Sequence, residues 1–382
     1  MMCDLYPTTA FFRINISTFL NRDLSEYAYL ITFRLKNIRY KGLCGIPYIA
    51  ESKCTYITPD RIIDNGRVLA AEWVQITCTD IDYKIIISEY DYEDILYHEV
   101  WCSKYGSLSN EFKECLMGYY RAKTKLKNVN GMEYELMKSK NRLNSLYGMM
   151  VMRIDQTLTT YNNGVYEEEP SDLKASLEKY YKSRNSFLSY QHGVWVTANA
   201  RRNLREMLNI VGKDVVYCDT DSVKCVNDHR ADFDKKNAEI IKRATEAGAF
   251  AEDKNGVVKY LGVWDYEGCY KEFKTLGAKK YVVKDDKGYH STIAGVSKKI
   301  GEEYFNKNGI DSFKIGTKIT DSGHLVAYYN DDKPHYITVN GCKMLTAANV
   351  ALVNDSYTIG VTSEYLDLLE KALANVDILE YN

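Results

Sequence analysis

Two aspartates, Asp219 and Asp221, stand two residues apart in Tyr217-Cys218-Asp219-Thr220-Asp221-Ser222, with Val215 and Val216 before them and Val223 after. In extended backbone, residues i and i+2 share a face at ~7 Å between Cα atoms. Carboxylates brought to ~4 Å repel by ~4 kcal/mol at an effective dielectric of about 20, so a pair closing a strand calls for a cation. Magnesium suits them, because it prefers oxygen ligands and completes its shell with water and substrate phosphates. Two such ions ~3.5 to 4 Å apart stabilise the attacking and leaving oxygens of an in-line displacement, which is the chemistry of nucleotidyl transfer. An isolated Asp-x-Asp serves equally to shape a hairpin turn.

A second constellation is Lys140-Asn141-Arg142-Leu143-Asn144-Ser145-Leu146-Tyr147-Gly148. On a helix Lys140, Asn144 and Tyr147 fall at i, i+4 and i+7 and project from one face. That stripe spans ~10 Å at about 1.5 Å per residue, the length of a triphosphate plus a sugar. Lys140 could hold phosphates while Tyr147 lies against a base pair, and Gly148 leaves room for a template strand. The same spacing also suits a core-facing stripe of Leu143, Leu146 and Tyr147. A third candidate, Lys279-Lys280-Tyr281, enters a predicted strand, where its ordinary alternative is a half-exposed sheet face.

These residues need elements to hold them. Aromatic and β-branched residues at 27–35 and 73–77 predict strands, separated by Gly42, Gly45, Pro47, Pro59 and Asn65-Gly66. From Asn110 the period becomes helical, with Phe112, Leu116, Tyr119, Lys123 and Leu126 near one stripe, until residues 128–131 interrupt it. A second helix over about 132–147 would make an antiparallel pair. An irregular acidic stretch is expected around 167–170, then a helix over 196–210 closed by Gly212. A hairpin follows, with strands at 215–217 and 222–226 and its turn at 219–221. Strands are expected at 281–284 and 289–293 around a turn at 285–288. The C-terminal part reads as short strands with one amphipathic helix near 364–373, and the chain shows no internal repeat.

With 382 residues, 45% of them hydrophobic, the chain can bury the cores of two or three domains, which excludes a disordered protein. Its ten cysteines form no Cys-x-x-Cys pair, which argues for reduced thiols rather than disulfides or structural zinc. No leader pattern and no run of ~20 apolar residues occurs, so a soluble intracellular protein is expected. A net charge of -2 does not advertise a nucleic-acid partner. Locally, however, Arg121, Lys123, Lys125, Lys127, Lys138, Lys140 and Arg142 are opposed only by Glu133 and Glu135. That surface is either a solvated pair of helix faces or a phosphate-tracking one.

The whole pattern resembles family B DNA polymerases of the protein-primed phage type. Tyr-x-Asp-Thr-Asp-Ser is similar to their third polymerase motif, and Lys-x-x-x-Asn-Ser-Leu-Tyr-Gly to their second. Lys279-Lys280-Tyr281 resembles the Lys-x-Tyr motif that holds the primer terminus, and Leu5-Tyr6-Pro7 the end of the first motif, Asp-x-x-Ser-Leu-Tyr-Pro. Gly193-Val194-Trp195-Val196-Thr197-Ala198 also fits this subgroup, and the likeness covers nearly the whole chain. It implies an α+β right-hand fold with an antiparallel-sheet palm, helical fingers and a small thumb. The palm would start in 1–22, followed by an insertion at 23–100 resembling the terminal-protein region. Fingers at 101–148, a connecting insertion at 149–190, palm with catalytic hairpin at 191–293 and thumb at 294–382 would complete it.

The resemblance further implies Asp219 and Asp221 as catalytic and metal-binding residues, for Mg2+ or Mn2+. Tyr6, Lys123, Lys140, Asn144 and Tyr147 would contact the nucleotide, the counterpart of Tyr6 excluding a ribose 2′ hydroxyl. Ser145, Gly148, Lys279 and Tyr281 would meet DNA. Partners would be primer-template DNA, deoxynucleoside triphosphates and a terminal priming protein, in the cytoplasm of a bacterial host and without a membrane.

Two departures stand out. The first motif's metal-binding aspartate falls at Met1, and Asp4 falls at the serine position, an offset of three that reverses the face of a strand. The family's editing exonuclease lies upstream of this motif, so proofreading is not expected. The sequence then reads as a C-terminal fragment, a split gene product or a truncated prophage copy. A rival reading is a protein that grips primer-template DNA through Lys279, Tyr281 and the basic helices without efficient synthesis. Reverse transcription is disfavoured, because Thr220 separates the two acids.

Overall fold

The computed structural model describes residues 2–21, 25–154, 158–162, 165–169, 172–183, 187–323, 325–329, 336–339, 342–345, 350–354 and 356–360. In its N-terminal part, alternating buried and exposed residues build strands. These are β1 (Tyr6–Pro7), β2 (Phe12–Ile14), β3 (Tyr27–Tyr40), β4 (Cys54–Ile57), β5 (Arg61–Asp64), β6 (Arg67–Thr79), β7 (Tyr90–Asp91) and β8 (Asp94–Gly106). Helix α1 (Ile16–Leu20) precedes β3, and α2 (Asp80–Glu89) follows β6. The strands form one eight-stranded sheet with the path β1-β8-β3-β6-β4, β2 also pairing with β8, β5 with β6 and β7 with β3. Ile31, Phe33 and Leu35 of β3, Val74 and Ile76 of β6 and Val100 of β8 face one core with Phe19 of α1 and Ile86 of α2. On the other face Thr32, Arg34 and Lys36 lie opposite Thr77, Gln75 and Trp73. Both expected strands lie inside longer ones, because the alternation continues beyond them.

The expected helix pair is α3 (Asn110–Leu126) and α4 (Glu133–Met150). Ser109 caps α3, its Oγ accepting from Phe112 N at 3.3 Å. Asn128 and Gly131, both at positive φ, turn the chain between the helices. The buried side of α3 is Leu116, Met117, Tyr120 and Thr124, one residue round from the expected stripe. Where an irregular acidic stretch was expected, β9 (Leu158–Asn162) and β10 (Val165–Glu169) form an antiparallel hairpin. Acidic residues on a strand edge are compatible with pairing, and Asn163-Gly164 is its sequence signal.

After α5 (Leu173–Lys182) comes α6 (Tyr190–Val211), closed by Gly212 at φ 65. It starts six residues before the expected 196 and runs through Gly193. A Cβ on Gly193 would lie 2.2 Å from Val151 Cγ1, so the glycine lets the end of α4 approach. The hairpin β11 (Val215–Asp219) and β12 (Ser222–Cys225) follows as expected. Unanticipated helix α7 (Arg230–Glu246) leads to β13 (Phe250–Glu252) and β14 (Val258–Tyr260). A three-stranded sheet comprises β15 (Glu272–Thr275), β16 (Lys280–Asp285) and β17 (Gly288–Ile293), its last two strands where expected. Helix α8 (Lys298–Asn308) was not expected, although Ser297 and Gly309 frame it as caps. The helix expected at 364–373 lies outside the described residues.

The chain divides into two compact units, residues 1–154 with 177–266 and residues 155–176 with 267–382. The second has its own core of Val282, Ile293, Phe305, Phe313, Ile319 and Ile359. No described helix is long and apolar enough to cross a membrane.

The first unit is assembled on α6, which packs on α2, α4, α7, β1, β6 and β12. Trp195 is fully buried with Tyr6, Ala28 and Leu108, and its Nε1 donates to the Tyr105 hydroxyl at 2.9 Å. Arg201, Arg205 and Asn209, four residues apart, line one face of α6. Arg201 donates to both Asp82 oxygens at 2.9 and 2.8 Å, and Arg205 to both Glu89 oxygens at 2.6 and 2.5 Å. Asn209 reaches Glu89 at 2.8 Å, while Arg205 also donates to Ile46 O and the Tyr40 hydroxyl. Arg205 and Glu89 stay in the interior only because each is paired and hydrogen-bonded.

Candidate functional site

The β11-β12 hairpin brings Asp219 opposite Ser222, Cys218 opposite Val223 and Tyr217 opposite Lys224. Tyr217 is buried, Asp219 half-buried and Asp221 exposed. At the tip Asp221 N donates to Asp219 O at 2.5 Å, and Thr220 Oγ1 donates to Asp219 Oδ1 at 2.9 Å. Thr220 has φ 43, a left-handed conformation that a β-branched residue rarely adopts. Strain of order 1–3 kcal/mol is therefore stored between the two acids.

Neither carboxylate has an ion-pair partner among the described residues. No group of three or more His, Cys, Asp or Glu there could hold a metal ion. The two acids are thus an anionic all-oxygen pair without a protein counter-ion. They fit an ion that leaves most of its shell to water and phosphate oxygens, as magnesium does.

On α4, Lys140, Asn144, Ser145 and Gly148 are exposed and Tyr147 is half-buried. Leu143 and Leu146 pack inward against Leu116, Met117 and Tyr120 of α3. The core-facing stripe and the polar stripe are therefore different faces of one helix. The Ser145 hydroxyl donates back to Asn141 O at 2.7 Å. Lys123 of α3 is half-buried, and its pKa is lowered first by that burial, then by the charges of Lys140 and Lys127. Lys123 and Lys140 hence form a positive pair with no acid partner among the described residues. Since α4 and β12 both pack on α6, one helix carries the lysine-bearing helix and the acid-bearing hairpin.

Tyr6 departs from expectation. It is 0% exposed and lies 6.0 Å from the His192 ring, so it offers a nucleotide no surface here. Burial in the cluster around Trp195 is the reason, and burial also pushes its phenol pKa well up. Asp4 is likewise engaged, its carboxylate meeting Arg202 of α6 at 2.9 Å and Arg243 of α7 at 3.2 Å. Burial would raise the Asp4 pKa, but the positive charges around it, Arg202 and Arg243 among them, outweigh it and hold the group below the usual range. Met1 lies outside the described residues.

A depressed folded-state pKa contributes stability above the unfolded value, lost as pH falls through the folded value. Asp4→Asn is therefore expected to cost about 1–3 kcal/mol near neutrality. Urea unfolding at several pH values should show the difference from wild type beginning to close below about pH 4 and closing as pH falls through the depressed folded value, where the wild-type acid also becomes neutral.

Lys279 and Tyr281 belong to the second unit. Lys279 is exposed at φ 55, its carbonyl accepting from Ala294 N at 2.9 Å. Tyr281 is half-buried on β16 and stacks on Phe273 at 5.8 Å. Sequence reasoning missed the arginines that fix the site's frame, Arg201, Arg202, Arg205 and Arg243. The spacing of Arg201 and Arg205 on a helix that also carries Trp195 was the available signal.

No family model matches the sequence. The chain is 24% identical over 321 residues to the DNA polymerase of Bacillus phage Nf, an alignment covering 82% of this chain and 48% of that protein. The DNA polymerase of Bacillus phage B103 shows the same identity and coverage. The chain thus spans about half the length of the curated relatives it matches. Among solved structures, the orthorhombic crystal form of Phi29 DNA polymerase matches with a TM-score of 0.59 at 19% identity, over 93% of this chain and 55% of that one. Phi29 DNA polymerase complexed with primer-template DNA and incoming nucleotide substrates matches with a TM-score of 0.60 at 20% identity, over the same shares. The chain is therefore similar in sequence to phage DNA polymerases of the phi29 type and shares their α+β fold with antiparallel sheets.

Proposed function

We propose that this chain is the polymerising portion of a protein-primed family B DNA polymerase, extending a DNA 3′ end or a priming protein's hydroxyl by template-directed nucleotidyl transfer. One observation carries the reading. Asp219, Asp221 and Lys140, with no ion-pair partner among the described residues, sit on elements held by the same helix, α6, and Lys123 sits on α3, which packs on α4. In this reading α3 and α4 are fingers, the hairpin and β15-β17 belong to the palm, and the chain beyond Ala294 is the thumb.

Asp219 and Asp221 would hold Mg2+, or Mn2+ in its place, and the ion supplies positive charge to the oxygens that exchange at phosphorus. Lys140 and Lys123 hold the triphosphate, Asn144 and Tyr147 the sugar and base. Ser145 and Gly148 face the template, and Lys279 and Tyr281 the primer terminus. Tyr6 supports this floor through Trp195 rather than meeting the nucleotide. The sheet of residues 27–100 faces the priming protein.

A second reading, DNA binding without efficient synthesis, rests on Asp4, whose carboxylate is taken up by two guanidiniums and adds nothing to the metal site. Primer extension with Mg2+ or Mn2+, run beside gel retention of the same primer-template, separates the two. Incorporation supports the first reading, and retention without incorporation the second. Absence of both sinks the polymerase assignment.

A further inference from the structure

Among the described residues the β11-β12 hairpin pairs with no third strand. A two-stranded ribbon is marginal by itself, so its open end needs a brace. Asp214, directly before β11, closes that end: its carbonyl accepts from Val226 N at 2.9 Å and its Oδ2 from Asn227 Nδ2 at 2.9 Å. His229 Nε2 lies 2.9 Å from the same Oδ2. The other ring nitrogen, Nδ1, lies 3.0 Å from Oδ2 of Asp232 in the first turn of α7. The imidazole thus bridges the hairpin's base to a helix, with its side chain only 16% exposed.

Ionised carboxylates only accept hydrogen bonds, and a neutral imidazole has one N–H to give. Both contacts are hydrogen bonds together only in the imidazolium. Around the ring stand Asp214, Asp232 and Asp228, and the Asp228 charge is met by Arg230 at 2.5 Å. The Cys225 thiol ends β12, near Asp214 and Asp228. The positive end of the α7 dipole opposes a cation at this position, and the two carboxylates offset it.

We infer that protonated His229 is a positioning residue, clamping the base of the hairpin to α7 so that Asp219 and Asp221 are presented together. This rests on the reading of that hairpin as the metal site. Hydrogen bonds donated to Asp232 and Asp214 raise the His229 pKa above its ordinary value. A raised value means the clamp is complete below the unfolded His range and is lost as pH rises through the folded one.

The test uses the full chain and Mn2+ alone as probe. The protein has six histidines, so the ring signal absent from His229→Gln identifies His229 in a magnetic-resonance titration. That ring should titrate above the ordinary histidine value. Wild-type Mn2+ affinity should fall about fivefold between about pH 6 and pH 9, the low end of coupling between sites. His229→Gln should bind weakly at every pH, and His229→Lys, a permanent cation with several donors, should stay tight across the range. Equal affinities of wild type and His229→Gln at all pH values overturn the proposal, as does a ring titrating at or below the ordinary value. Should His229→Gln not fold, the comparison with His229→Lys and the ring titration decide alone. If Asp219→Asn binds Mn2+ like wild type, the reading of the metal site falls, while the ring titration still reports on the clamp.

Discussion

Asp219→Asn lowers template-directed incorporation by about 10³-fold, corresponding to roughly 4 kcal/mol of lost charge stabilisation at the reacting oxygens. The same change leaves the folded chain no less stable. Asparagine has the shape of aspartate and serves turns as well, so a merely turn-shaping role would survive it. Because Asp219 has no ion-pair partner among the described residues, neutralising it also removes its repulsion with Asp221. Activity and stability therefore move apart, a signature that misfolding cannot imitate. Steady-state extension and thermal unfolding, measured on one preparation, check both halves. Incorporation within tenfold of wild type would remove the hairpin from the chemistry.

Arg205→Ala destabilises the chain by about 3–5 kcal/mol, the largest stability effect expected of a single side chain here. Its guanidinium is 4% exposed and the Glu89 carboxylate 1%, so truncation strands a carboxylate where water cannot reach it. Ile46 O and the Tyr40 hydroxyl lose a donor as well. Replacing both partners, Arg205→Met with Glu89→Leu, should recover part of the loss, because two well-packed apolar side chains replace a pair that had to be desolvated. Urea midpoints of the single and double variants give the comparison. A single-variant loss below about 1 kcal/mol would mean that the pair is solvated in the working protein.

What could be read without the structure was local. The α3-α4 pair, the β11-β12 hairpin and the β16-β17 hairpin are each specified by residues within a few positions of one another, and their limits fall within a few residues of expectation. Helical spacing offered the Lys140 stripe and the Leu143-Leu146 stripe as alternatives, and the structure gives each its own face of α4. The early start of α6 had no local signal, since a glycine needed for close packing, as Gly193 is, and one that ends a helix look the same in sequence. The acidic stretch at 167–170 was expected to be irregular, and the signal that it pairs is the Asn163-Gly164 dipeptide before β10. Nothing local shows that Asp4 meets Arg202 and Arg243, or that Tyr6 ends beneath Trp195, since those partners lie about two hundred positions away.

The seam between α2 and α6 constrains inheritance. A lineage that discarded the residues between β2 and β8 would shed Asp82 and Glu89 and leave Arg201 and Arg205 of the neighbouring helix without their carboxylates. Grafting that stretch onto another scaffold would fail for the reciprocal reason. The sheet and the long helix are, in physical terms, a single heirloom: neither can be exchanged until the other has been rewritten.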